Sequence, residues 1–174
     1  MTKLWLCADL HLGSKNVTKF RTDFSSCEEH DSIIYDNLAS SVGKRDSLYI
    51  LGDVVVGERL KSEFWLGEIG KIRCAKKTLV LGNHDTDHKV SIHQLAAVFD
   101  DIHSLHARRN VWFSHCPIHP NEMRGKIANI HGHLHANVID SPRYINVCLE
   151  HTGYKPITFG EIQERFLSRI VASG

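Results

Sequence analysis

The sequence predicts an α/β fold of two packed, mixed β-sheets flanked by helices, and three observations point there. Through roughly the first 100 residues, short apolar runs alternate with longer amphipathic stretches, the pattern of a parallel sheet built from strand–helix crossovers. Beyond residue 110 the apolar runs follow one another with little room for helices, so they are expected to form a second sheet. Five strand ends carry carboxylates, amides or imidazoles, and open α/β sheets bind ligands at the carboxyl ends of their strands.

The first run, residues 3–8, contains Trp5 and Cys7 and ends in Asp9-Leu10-His11. Its i, i+2 spacing puts Asp9 and His11 on one face of extended chain. Residues 12–26 make a long loop, of a length that is often functional; its Asn16, Lys19 and Arg21 are candidate phosphate-binding donors, with a solvated loop as the alternative reading for each. Ser25 and Ser26 precede Glu28 and Glu29 at capping-box spacing, which opens a helix over about 27–42. Ile33, Ile34, Leu38 and Val42 form its apolar stripe, and Gly43 suits its end. Residues 47–51 make a second strand, closed by Gly52-Asp53. A helix over about 60–74 turns Phe64, Trp65, Ile69 and Ile72 inward.

The third strand, residues 77–81, delivers Gly82-Asn83-His84-Asp85. A helix over 87–99 follows, with Ile92, Leu95, Ala96 and Phe99 on its inner side. In the second half, residues 110–114 end at His115, and residues 127–130 end at His131-Gly132-His133-Leu134-His135. Residues 143–149 form a third strand after a turn at Asp140-Ser141-Pro142. Thr158 and Glu161 cap a terminal helix over about 159–170, with Ile162, Phe166 and Ile170 as its stripe. No linker or low-complexity tract divides the chain, so residues 1–174 read as a single domain.

Composition narrows the function. A net charge of +1 offers no broad field for nucleic acid or anionic lipid, while leaving room for a local phosphate site. No apolar run reaches membrane-spanning length, and the N-terminus enters a strand directly without a signal-peptide layout. The five cysteines are scattered and form no Cys-x-x-Cys, which fits a reducing, cytoplasmic compartment rather than a disulfide framework or thiolate zinc site. Nothing in the sequence fixes an oligomeric state. Histidine is the outlier: 13 residues, roughly three times ordinary usage. His30, His88, His93, His103 and His106 lie in polar or helical stretches and read as ordinary histidines.

The strand ends assemble Asp9, His11, Asp53, Asn83, His84, His115, His133 and His135. Divalent ions favour this mix of carboxylate, amide and imidazole. It exceeds the four ligands of one tetrahedral zinc and suits two ions about 3.5–4 Å apart that share a carboxylate.

Taken in order, Asp9-x-His11, Gly52-Asp53, Gly82-Asn83-His84-Asp85, His115 and Gly132-His133-x-His135 resemble the motif series of the calcineurin-like metallophosphoesterases. The residue 16–21 loop, the run from Asn129 to His135 and Tyr144-Ile145-Asn146-Val147 are similar to the small bacterial and phage branch. The resemblance implies that family's four-layer sandwich and two divalent ions as cofactors, manganese first, with iron, nickel, zinc or magnesium as alternatives. It implies that Asp9, His11 and His135 hold one ion and Asn83, His115 and His133 the other. Asp53 then bridges both together with a hydroxide, and His84 faces the scissile phosphate as general acid. Asp85 either orients His84 or ends the turn, and His131 is read as a partner holding a ligand imidazole. Asn16 and Arg21, then Arg124, are the candidate phosphate contacts.

The chain departs from relatives of that kind in two places. Gly13-Ser14 stands where the branch often has Gly-His. Gly52-Asp53-Val54-Val55-Val56-Gly57 lacks the Asp-Arg pair of protein phosphatases and diadenosine tetraphosphatases. The expected function is hydrolysis of a small phosphodiester or phosphomonoester, a nucleotide or cyclic nucleotide, by the metal-bridging hydroxide. Two other readings stand beside it: a non-catalytic metal-binding interaction scaffold, and a nuclease acting on nucleic-acid ends.

Overall fold

The computed structural model describes residues 2–87 and 90–167. In chain order the first half runs β1 (Leu4–Cys7), α1 (Cys27–Ser41), β2 (Ser47–Ile50), α2 (Arg59–Lys71), β3 (Lys76–Val80), α3 (Ile92–Ala96) and β4 (Asp101–His103). The second half runs β5 (His106–Arg108), β6 (Val111–Ser114), β7 (Ala128–His131), β8 (Tyr144–Asn146), β9 (Ile157–Thr158) and α4 (Phe159–Ile162). One sheet has the order β4-β3-β2-β1-β9 and the other β5-β6-β7-β8. Strands β1 to β4 are parallel, as are β6 to β8, while β9 and β5 are antiparallel to their neighbours. The expected class, two mixed sheets flanked by helices, is the one observed.

Side-chain alternation along the strands sorts the apolar residues into two cores. Trp5, Cys7, Leu48, Ile50 and Leu79 face α1 and α2 and pack with Ile34, Leu38, Leu66 and Ile69. Leu4, Leu6, Tyr49 and Val80 face the other sheet and meet Val111, Phe113, Ala128, Ile130 and Ile145. The same alternation sends Trp112, Asn129 and Tyr144 to the outer face of the second sheet. There the connection after β6 covers them, with Trp112 Nε1 donating to Met123 O and Tyr144 Oη to Ile118 O.

Register brings the strand ends level. Cys7 pairs with Ile50 and Ile50 with Leu79; in the second sheet Ser114 pairs with His131 and His131 with Asn146. A parallel bridge between Ala8 and Cys148 ties the two sets of ends together. The loops that leave these strands therefore meet along one edge of the sandwich.

Several local expectations change. The third helix spans only Ile92–Ala96, because Ser91 and Gln94 form a capping box that starts it late. Ile33, Phe64 and Ile92 are exposed instead of facing inward. β4, β5 and β9 are additional strands of two or three residues at or near sheet edges, too short and too polar to alternate visibly. His103 and His106 belong to β4 and β5, and their stacked rings, 4.3 Å apart, mark where the chain steps between sheets. The terminal helix begins at its Thr158–Glu161 capping box but passes into a π-turn over Gln163–Leu167. His88 and Ile170 lie outside the described residues. No helix among the described residues is long and apolar enough to cross a membrane.

The corrected packing separates two phenylalanines. Phe113 is 0% exposed and Phe64 58%. Phe113→Ala is expected to cost about 3–5 kcal/mol in denaturant unfolding, and Phe64→Ala about 0.5 kcal/mol or less. An equal loss at both positions would put Phe64 in a buried interface.

Candidate metal centre

The loops at the shared edge carry strained backbone. Asp9 (φ 59°), His11 (51°), Asp53 (55°), His133 (69°) and His135 (49°) all adopt the left-handed region. Such conformations cost on the order of 1–3 kcal/mol each and persist only where surroundings enforce them. The enforcement is visible. Asp9 N donates to Gly52 O at 3.1 Å, His11 N to Asp53 O at 3.0 Å and Leu12 N to Val54 O at 3.2 Å. Buried Asp85 accepts from the backbone N–H groups of Gly82 (2.7 Å), Asp53 (3.0 Å) and Val54 (2.9 Å). Burial pushes its carboxyl above the ordinary range, although the three N–H groups act in the opposite direction.

Gly82 and Gly132 leave the room in which the carboxylates sit. A methyl on Gly82 would collide with Asp53 Oδ1 and lie 2.6 Å from Asp53 N, and one on Gly132 would lie 2.5 Å from Asp9 Oδ2.

Each aspartate commits one oxygen to the protein and turns the other toward the imidazoles. Asp9 Oδ2 accepts from His133 N (2.8 Å) and the Cys148 thiol (3.1 Å), and Asp53 Oδ1 accepts from His84 N (2.9 Å). Asp9 Oδ1 then lies 3.5 Å from His11 Nε2 and 3.7 Å from His135 Nε2. Asp53 Oδ2 lies 3.7 Å from His11 Nε2 and 3.5 Å from His115 Nε2, between the two groups. On the far side, His115 Nε2 is 3.0 Å from Asn83 Oδ1 and 3.2 Å from His133 Nδ1. Asp9 Oδ1 and His11 Nε2 are buried without a hydrogen-bond partner. Burial raises the Asp9 pKa, but the contact with His11, the charge of His115 and the donors from His133 and Cys148 outweigh it and hold the carboxyl below its usual range.

Groups behind the cluster set the rings. His115 Nδ1 bonds Leu51 O at 2.8 Å, and His135 Nδ1 bonds Glu150 Oε1 at 2.9 Å, which leaves each Nε2 for the cluster. Glu150 raises the His135 pKa by this hydrogen bond. Glu150 itself is pulled down to about 2, burial being outweighed by His135 and Arg21.

Arg21 corrects a sequence expectation. It is 2% exposed, and its guanidinium bonds Glu150 Oε1 (2.9 Å), Asp9 O (2.6 Å), Leu10 O (3.3 Å) and His30 Nε2 (2.8 Å). It borders the cleft over the cluster, but its guanidinium is engaged as a brace under the Asp9 loop and Glu150. His30, read as ordinary, is fully buried in this chain, and its Nδ1 meets Asp31, whose other oxygen accepts Gly13 N.

Other expectations also move. Asp85 holds the Asp53 loop, while Asp87 Oδ2 lies 3.3 Å from His84 Nδ1 and orients that ring. His131 points to the outer face of the second sheet, where Nδ1 bonds Gly132 O and Nε2 has no partner, so it holds no cluster imidazole. Arg124 is exposed and paired with Glu122. Asn16 is exposed beside the Val17–Lys19 turn, and neither Asn16 nor Arg124 lines the cleft over the cluster. That cleft, of about 740 Å³, is bordered by His11, His84, His133 and His135. Glu150 and Cys148 escaped the sequence reading because each acts through a contact distant in sequence, and Asp87 because a local turn rather than a motif brings it to His84. Cys116 is exposed, and its sulfur lies among the His115 and His133 donors.

The donor sets fit divalent cations. Asp9, His11 and His135 converge in one group and Asp9, Asp53 and His115 in another, with donor atoms in each within 4.8 Å of one another. Unpartnered buried carboxylate and imidazole atoms at their centre are what a cation would satisfy. Two level sheets with this polar cluster at their shared edge define a metallophosphoesterase-type protein. The profile of the calcineurin-like phosphoesterases matches residues 2–169, and the chain belongs to that family. It is 33% identical to the Gene 66 protein of Mycobacterium phage L5, over 88% of this chain and 86% of that protein. It is 27% identical to protein MJ1445 of Methanocaldococcus jannaschii, over 91% of this chain and 88% of that one. Among solved structures it is similar to AQ665 from Aquifex aeolicus, with TM-score 0.74, 26% identity and coverage of 94% of this chain and 99% of that one.

The two neighbouring acids should separate by calorimetry. Asp85→Asn is expected to weaken Mn²⁺ binding about 10- to 100-fold, whereas Asp87→Asn retains it. Wild-type affinity in Asp85→Asn would show that the three-donor cradle does not shape the cluster.

Proposed function

We propose that this chain is a dinuclear-metal-dependent phosphoesterase that hydrolyses a small phosphodiester or phosphomonoester, a nucleotide or cyclic nucleotide. Manganese is the first candidate for both ions. The observation that carries the reading is the division of labour at the cluster. Asp9 and Asp53 each turn one oxygen to the imidazoles, while His84 joins none of the donor groups and borders the cleft. A pair of divalent cations bound there supplies a water of lowered pKa and neutralises phosphate charge.

The chain's own groups do the rest. Asp9, Asp53, Asn83, His11, His115, His133 and His135 would hold the ions. The Glu150 and Leu51 contacts keep His135 and His115 turned toward them. His84 N is fixed by Asp53 and its ring by Asp87, with the two rings of His84 and His11 at 5.7 Å. Asp87 takes Nδ1 and leaves Nε2 to protonate the departing oxygen of a bound ester. The thiols of Cys7, Cys27, Cys74, Cys116 and Cys148 are all unpaired, which supports a reducing, cytoplasmic setting.

With Mn²⁺ or Ni²⁺, the protein is expected to hydrolyse bis-p-nitrophenyl phosphate. His84→Ala should lower kcat by about 100- to 10,000-fold with metal content unchanged by mass spectrometry. Loss of metal in that variant would make His84 a ligand. No turnover with any divalent ion would favour the scaffold reading.

A further inference from the structure

The cleft has one wall that the hydrolytic reading does not use. The turn over Val17–Lys19 borders it with Lys19 and Phe20, and Val56, Leu134 and Asn137 line the same cleft. Phe20 is 83% exposed, more than any other exposed large apolar side chain among the described residues. Its ring makes no contact with another ring there, and Lys19 makes no ion pair there.

Phe20 is also held in place. Its N–H donates to Val17 O at 3.0 Å, and Arg21 N donates to the same carbonyl at 2.8 Å. Val17 and Arg21 are both buried, so the exposed ring sits between two anchors. A flat apolar face held in water beside a phosphate-directed site offers a stacking surface, and the adjacent Lys19 adds a positive charge on the same rim. A nucleobase carrying phosphate matches both, since bases stack on aromatic rings without regard to sequence.

We propose that Phe20 and Lys19 form a nucleotide subsite on the rim of the cleft, with the Phe20 ring stacked on a base and Lys19 paired with phosphate of the same ligand. This deepens the phosphoesterase reading and rests on it for the position of the scissile bond. It names nucleoside phosphodiesters as the substrate class and selects among them by the presence of a base, not by its identity.

The test compares two chromogenic diesters with the same leaving group, thymidine 5′-(p-nitrophenyl phosphate) and methyl p-nitrophenyl phosphate, hydrolysed with Mn²⁺. The wild-type protein should prefer the nucleoside ester in kcat/KM. Phe20→Ala should cut that preference by about 5- to 100-fold, mainly through KM, and Phe20→Trp should keep it. Separately, AMP should quench the added fluorescence of Phe20→Trp relative to wild-type protein without metal. An unchanged preference in Phe20→Ala, or no quenching by AMP, overturns the subsite. If neither diester is hydrolysed with any divalent ion, the phosphoesterase reading fails, and the AMP titration alone then decides whether Phe20 binds a base.

Discussion

Two buried carboxylates facing the same imidazoles are the constraint on which the rest of this structure depends. Asp9 and Asp53 belong to one donor group with His115, so their oxygens converge in one buried space. Burial opposes ionisation of a carboxylate, as it does at Asp9. The fold answers with fixed donors: each carboxylate receives a backbone N–H on one oxygen, from His133 and from His84. The remaining oxygens are oriented before any ligand arrives, and that preorganisation is what a divalent ion would exploit. The left-handed backbone at Asp9, His11, Asp53, His133 and His135 follows from the same demand. Side chains from loops of two sheets can converge on one point only if the chain turns sharply as it leaves each strand.

Strain of that kind needs a stiff frame. In the first sheet the frame is the Asp85 carboxylate, which gathers three N–H groups from two adjoining loops. Between the sheets it is Arg21, whose guanidinium ties the carbonyls of Asp9 and Leu10 to Glu150, and through Glu150 to His135. A buried guanidinium with its donors engaged is costly to leave unpaired, so removing Glu150 would disturb both the Asp9 loop and the His135 ring. The link also joins the two halves of the sequence, because Arg21 precedes α1 and Glu150 follows β8, the last strand of the second sheet.

The architecture was legible because its signals are local. Apolar runs such as Leu4-Trp5-Leu6-Cys7 and Val111-Trp112-Phe113 read directly as strands, and the Thr158–Glu161 box reads directly as a helix start. The cluster was legible because its members stand at strand ends, where register makes them neighbours. What escaped were contacts that only tertiary structure creates. Arg21 looked like a loop cation free for phosphate, and the burial of its side chain under Asp9 carries no sequence pattern. Asp85 and Asp87 are equivalent on the page, yet a turn sends one under the Asp53 loop and the other to His84. The edge strands β4, β5 and β9 are too short for alternation to appear, and Phe64 and Ile92 fit an apolar stripe without being buried by it.

The central claim is that these residues build two adjoining cation sites with Asp53 shared between them. The most direct measurement is an anomalous difference map from crystals grown with Mn²⁺. The account predicts two peaks, one enclosed by Asp9, His11 and His135 and the other by Asn83, His115 and His133, with Asp53 touching both. A single peak, or manganese bound away from these side chains, would contradict it.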